Sequence, residues 1–192
     1  MEKRILTGRD GAEDLEVTFE EVDFIGAADK MALLAEVSDL KFVKAKKEAV
    51  VKAWPATLGE KVVTRPGVII DGKEYSFDET ESTVTQKDVD NKCMLVRNPD
   101  GEVYMVKGEK FAKLYEKVDD TTYKTAGDAK SFVTTTRDVC FKASWGEMQY
   151  SPRGSKLCVS ENGDIYSITN MAFQTTYKEV EQEAFDEDET EL

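Results

Sequence analysis

The chain has 192 residues, no histidine, and 39 Asp and Glu against 26 Lys and Arg, for a formal net charge of −13. The acidity argues against direct nucleic-acid binding, which needs Lys and Arg to neutralise phosphates. The missing histidines remove His-based acid–base chemistry, Ser–His and Cys–His nucleophile pairs and the commonest metal ligand.

Residues 1–43 read as an N-terminal extension. Leu15–Phe19 alternates like a strand, Gly8–Gly11 reads as a loop, and Asp29–Val37 carries Met31, Leu34 and Val37 at helical spacing. Phe42–Trp54 brings the only conspicuous basic patch, Lys44, Lys46 and Lys47, followed by a strand over Ala49–Trp54. We read 44–120 as a first module with an insertion at about 60–90. Within the insertion, Asp71-Gly72 between two β-rich runs signals a hairpin. Asp78–Asp90 is polar and acidic and is expected to be a loop.

Cys93–Arg97 and Glu102–Val106 flank Asn98-Pro99-Asp100-Gly101, a turn in which Pro presets φ and Gly accepts a positive φ. Glu109–Lys117 then reads as a helix whose stripe contains Phe111, Leu114, Tyr115 and Val118. Downstream, 121–130 is expected to be a linker and 131–182 a second module, with one strand over Phe132–Phe141. This module repeats the first without gaps: Gly101 meets Gly163, Tyr104 Tyr166, Phe111 Phe173, Tyr115 Tyr177 and Val118 Val180. Lys52-Ala53-Trp54 finds a looser echo in Lys142-Ala143-Ser144-Trp145. Agreement of turn, spacing and aromatics favours an internal repeat. Residues 183–192 form an acidic tail around Phe185, in which clustered like charges favour disorder.

Gly101-Glu102-Val103-Tyr104, followed by Phe111-x3-Tyr115-Glu116, resembles small phage and prophage proteins of the PGDYG type. The likeness covers Gly101–Glu116 well, Gly163–Tyr177 moderately and Val50–Trp54 weakly. The Gly-Asp-Tyr signature is replaced by Asn91-Lys92-Cys93 before the first hairpin, and only Gly154 echoes it before the second. The resemblance implies a phage or mobile-element origin and a compact module, without a reaction.

Together these readings lead us to expect an α+β protein. It would hold two related β-hairpin–helix modules with mainly antiparallel sheets, plus an N-terminal strand/helix segment. Cys93, Cys140 and Cys158 lack metal-ligand spacing and read as buried reduced thiols, which suits the cytoplasm, that of the host if the protein is phage-encoded. No apolar run is long enough for a membrane span, and Met1–Ile5 lacks a signal-peptide core. No Walker loop, GxGxxG, GxSxG or Cys-x2-Cys occurs, and no cofactor or bound metal is expected.

The first function expected is a non-enzymatic accessory protein that binds and inhibits a host protein with a basic surface. In one form it would be a nucleic-acid-mimicking anti-defence inhibitor, and it could self-associate. Its contact residues would be Asp78, Glu79, Glu81, Asp88 and Asp90 in the insertion, with Phe185, Asp186, Glu187, Asp188 and Glu189 in the tail. The second is a protein that binds or sequesters a nucleotide-like small molecule, with Trp54, Trp145, Tyr150 and Lys46 around a shared cleft. The third is a carboxylate-dependent metal enzyme.

Overall fold

A computed structural model describes residues 1–125 and 127–180. The elements run β1 (Glu2–Gly8), β2 (Leu15–Glu21), α1 (Lys30–Val37), β3 (Val43–Lys47), β4 (Val50–Pro55), β5 (Lys61–Thr64), β6 (Gly67–Ile70), β7 (Lys73–Ser76), β8 (Thr80–Thr83), α2 (Gln86–Asp90), β9 (Met94–Arg97) and β10 (Val103–Val106). They continue with α3 (Gly108–Leu114), β11 (Tyr115–Lys117), β12 (Thr122–Thr125), β13 (Lys130–Thr134), β14 (Val139–Lys142), β15 (Met148–Ser151), β16 (Lys156–Val159), β17 (Ile165–Ile168), α4 (Asn170–Thr176) and β18 (Tyr177–Glu179).

The expected α+β class is overturned. Strands make up 46% of the described residues and helices 15%, in several antiparallel sheets that include a curled half-barrel. Three sequence signals were too weak to show this. The stripe through Phe111 and Tyr115 ends as helix at Leu114, because Tyr115–Lys117 turns into β11 and pairs with Tyr123–Thr125. Two stretches expected as loop and linker hold β8 and β12. Phe132–Phe141 is divided between β13 and β14, which lie in different sheets.

Several local expectations match the coordinates. The helix expected over Asp29–Val37 forms as α1, and Asp29 caps it by accepting from Ala32 N at 3.1 Å. Asp71 (φ 51°) and Gly72 (φ 80°) close the β6–β7 hairpin, the left-handed pair a two-residue turn requires. The three cysteines are buried and unpaired.

Four sheets form. The largest has the order β15-β14-β2-β1-β7-β6, antiparallel except for β14 against β2, and β5 pairs with β8 alone. The other two are five-stranded, β10-β9-β4-β12-β11 and β17-β16-β13-β3-β18. These two carry the same pairings at corresponding positions. Ala53 opposes Val96 and Val96 opposes Tyr104; Phe132 opposes Cys158 and Cys158 opposes Tyr166. Likewise Tyr115 opposes Thr125, and Tyr177 opposes Lys47.

The correspondence shows an exchange. β3 precedes β4 in the chain but lies in the other sheet, between β13 and β18. β12 precedes β13 but lies between β4 and β11. Each unit thus contributes its first strand to the other's sheet. The segment expected as a linker is part of this exchange.

The cores correspond as well, with sizes traded between neighbouring strands. Around Phe111 stand Ala53 on β4 and Tyr123 on β12; around Phe173 stand Phe132 on β13 and Ala45 on β3. An aromatic ring meets the helix Phe edge-on in both, Tyr123 at 4.9 Å in one and Phe132 at 5.2 Å in the other. Phe111 stacks on Tyr115 and Phe173 on Tyr177, with interplanar angles of 14° and 8°. The backbone approach before each hairpin is also shared. Lys92 (φ 53°) faces Gly108, where an added Cβ would lie 2.5 Å from Lys92 O; Gly154 (φ 90°) faces Asn170.

The opposite faces of the two sheets are covered differently. Val62 and Val84, from the insertion, pack on Leu95 of the first sheet. Phe24, Leu34, Val37 and Phe141 pack on Val133 and Leu157 of the second.

Candidate functional site

The two five-stranded sheets meet where their exchanged strands cross. There Thr125 Oγ1 donates to Lys47 O at 2.7 Å and accepts from Ala49 N at 3.0 Å, while Glu48 N donates to Thr176 O at 2.8 Å. A cleft of about 620 Å³ opens beside this crossing. It is lined by the lysines Lys47, Lys107, Lys110 and Lys130 and by the tyrosines Tyr104, Tyr115 and Tyr177. The volume is in the range of small-molecule sites.

Three elements supply the centre of the cleft. β3, whose backbone belongs to the second sheet, extends the half-buried Lys47 toward the first unit. Lys47 Nζ donates to Tyr104 Oη at 2.7 Å and lies 3.5 Å from Tyr115 Oη. β10 supplies Tyr104 and the start of β11 supplies Tyr115; their hydroxyls are 2.5 Å apart. Tyr104 also reaches Asn98 Oδ1 at 3.3 Å, in the hairpin turn. On the far side, Lys130 donates to Tyr166 Oη at 3.2 Å.

Burial and charge shape the protonation of this group. Lys47 is pushed down to about 8, chiefly by burial, with Lys130 adding to the effect and Glu102 and Asp100 opposing it. Burial raises the Tyr104 phenol strongly and also raises Tyr115; it pushes Tyr177 up to about 12. Glu102 is raised above the usual carboxylate range, first by burial and then by Asp100. The site therefore holds neutral phenols around an amine that gives up its proton more readily than a solvated lysine.

The cleft is open on one side because the two units are covered unequally. In α3 only Phe111 is buried, whereas α4 buries Met171, Ala172, Phe173 and Thr176. The six-stranded sheet accounts for this. Asn170 accepts from Ile69 N at 2.8 Å and donates back to Ile69 O at 2.5 Å, clamping α4 against β6. Ser167 is tied to Gln149 and Ser151 of β15. Where the first unit places Lys107 and Lys110 toward the cleft, the second has Thr169 and Ala172.

The residues expected to form a site are dispersed. Lys46 is exposed on β3, one position from Lys47, so strand alternation turns it to the opposite face. Trp54 packs on the insertion side of the first sheet, donates to Glu60 Oε2 at 2.9 Å and carries Arg97 over its ring. Trp145 is exposed in the β14–β15 turn and donates to Glu147 at 2.8 Å. The two tryptophans sit on different sheets, and neither lines the large cleft. The position corresponding to Trp54 is Val133, since the two oppose Leu95 and Leu157.

Tyr150 and Asp78 share a smaller cavity, of about 350 Å³, in which Arg4 donates to Tyr150 Oη and Tyr150 donates to Glu2. Glu79 and Glu81 are exposed, Glu81 pairing with Lys61 at 3.2 Å across β5–β8. Asp88 is spent on the capping box of α2 with Thr85, and Asp90 accepts from Gln86. Phe185, Asp186, Glu187, Asp188 and Glu189 lie outside the described residues. Among the described residues no group of three or more Asp, Glu or Cys side chains is placed to hold a metal ion, and no helix is long and apolar enough to cross a membrane.

Sequence reasoning missed Lys47 because its partners are supplied by strand exchange. One signal was present: the repeat keeps Tyr104 and Tyr166, and Tyr115 and Tyr177, at positions where a purely apolar core would not need a hydroxyl. No protein-family model, curated protein or solved structure matches the chain.

Proposed function

We propose that the chain is a non-enzymatic binding protein that captures a small anionic, nucleotide-like ligand in the cleft at the strand crossing. The observation that carries this reading is the convergence of four lysines and three tyrosines on one cleft in a chain of net charge −13. Lysines in a strongly acidic protein are most simply placed as solvated counterions on its surface. Here Lys47 is instead drawn inward, among hydroxyls that can donate to phosphate or sugar oxygens. The tyrosine rings offer flat apolar surface, and the remaining lysines stand at the mouth. A phage origin, implied by the likeness around Gly101–Glu116, is compatible with a protein that withdraws a ligand from a host.

The test is calorimetric titration of the whole chain with pyrophosphate and with ADP. Binding that weakens with salt, and weakens about tenfold in Lys107→Ala/Lys110→Ala, is the expected result. No heat at millimolar ligand, or binding indifferent to the double substitution, would overturn the reading.

A second reading, a charge-mimicking inhibitor of a host protein with a basic surface, draws on the exposed acidic run of Asp78, Glu79 and Glu81 beside Asp88 and Asp90. It predicts association with basic nucleic-acid-binding proteins that falls steeply with ionic strength.

A further inference from the structure

We propose that Lys47 captures its ligand covalently, by condensing with the carbonyl group of a phosphate-bearing aldehyde or ketone. This rests on the cleft being a ligand site, and adds which functional group the ligand carries and which atom it reacts with.

Lysine becomes a nucleophile when it is desolvated or set beside another cation. The first condition holds, and Lys130 adds to it against the larger opposing pull of Glu102 and Asp100. Lys47 is half-buried between Tyr104 and Tyr115, with Nζ 4.9 Å and 5.8 Å from the two ring centres. Lys130 lines the same cleft and Lys47 forms no ion pair among the described residues. A lysine placed only to hold phosphate would gain from staying charged. This one sits where burial moves it to about 8, so a sizeable fraction is free amine in mildly alkaline solution.

The neighbouring phenols supply the proton traffic. The Nζ lone pair attacks the carbonyl carbon as Tyr104, 2.7 Å from Nζ, donates its proton to the carbonyl oxygen. In the same relay the nitrogen passes a proton to Tyr104, so no phenolate has to stand in a site that disfavours it, and a neutral carbinolamine is left. Loss of its hydroxyl, protonated through the paired Tyr104 and Tyr115 hydroxyls as the nitrogen returns its own proton to that pair, releases one water and forms the neutral C=N bond. No oxidant or reductant is consumed, and adding water reverses the step. Lys107 and Lys110, at the mouth of the cleft, are placed to hold the phosphate. The open-chain form of a sugar phosphate has the required chemistry.

The test treats the whole chain with pyridoxal 5′-phosphate, which carries both groups, at pH 7.5 and fixes any imine with borohydride. Peptide mass mapping should find Lys47 labelled about tenfold faster than the median of the other lysines, and slowed by excess pyrophosphate. Tyr104→Phe should slow labelling at Lys47 by about tenfold or more, a loss well beyond whatever it takes from pyrophosphate affinity, which separates proton donation from ligand holding. Lys47→Arg should abolish the fast phase. Because the mapping is done on the unaltered chain, it stands even if a variant fails to fold. Labelling without preference for Lys47 while pyrophosphate still binds would overturn the covalent step and leave the binding site. Absence of both would remove the site itself.

Discussion

Trading sizes between the two cores permits a transplant experiment. Phe132 is wholly buried against Phe173 and Tyr177, each ring centre 5.2 Å away. Phe132→Ala should cost about 4 kcal/mol through lost burial and a residual cavity. Ala45 is also wholly buried, so Ala45→Phe alone overpacks and should cost about 2 kcal/mol. If the two sites were independent, the double variant would lose about 6 kcal/mol, enough to unfold many domains of ordinary stability. The first unit, however, already uses the reverse arrangement, a small Ala53 with a ring from Tyr123 on the exchanged strand. In Phe132→Ala/Ala45→Phe the new ring should enter the space the old one left, and the loss should be only about 2–3 kcal/mol, a coupling of at least 3 kcal/mol. Urea unfolding of the wild type, both single variants and the double variant gives the cycle directly. A double variant no more stable than Phe132→Ala would refute the correspondence of the two cores.

Other consequences can be checked separately. Because folding lowers the Lys47 pKa to about 8, the charged amine is disfavoured in the folded state, and its cost is fully present below pH 8. As pH rises from 8 toward the unfolded value near 10.5, the folded state sheds this proton first and the cost fades. Lys47→Met should therefore be more stable than wild type at pH 7, by about 2 kcal/mol, with the gap closing by about pH 11 in parallel urea titrations. Asn170→Ala strips both hydrogen bonds from Ile69 and should cost about 1–2 kcal/mol, with faster hydrogen exchange at the Ile69 amide. Residues 1–120 expressed alone lack β12, the strand between β4 and β11. They should lack a cooperative melt in circular dichroism and regain one when mixed with 121–192.

Local chemistry was legible and long-range pairing was not. The Asn98–Gly101 and Ser160–Gly163 turns close with matching bonds, Gly101 N to Asn98 O and Gly163 N to Ser160 O, both at 2.9 Å. Such turns are written within four residues. The repeat of Phe111 and Phe173 was legible too, since burial preserves residue type at fixed spacing. What the sequence hid was partner choice. Thr122–Thr125 is short and polar and becomes a strand only because β4 and β11 flank it; tertiary pairing overrides such weak local preference. Strand β8 is wholly exposed and equally without an apolar signal. The helix stripe misled because residues spaced for one helical face can also leave the helix and stack on it, as Tyr115 does on Phe111. The site followed the same pattern. Choosing Lys46 over Lys47 was a matter of register in a strand whose neighbours lie far along the chain, and a shift of one reverses the face.

The exchange of β3 also bears on how the chain is made. Leaving the ribosome early, β3 has no sheet to enter until Lys130–Phe132 has been synthesised, and its second neighbour, Tyr177–Glu179, comes later still. For most of translation it is a bare edge, the kind of segment that recruits strands from other molecules. Its sequence, VKAKK, is suited to that wait: three ammonium groups in five residues repel a second copy of the same strand until the proper neighbours arrive. On this view the basic patch guards the nascent chain first, and only after closure does one of its lysines, Lys47, become the centre of a cleft.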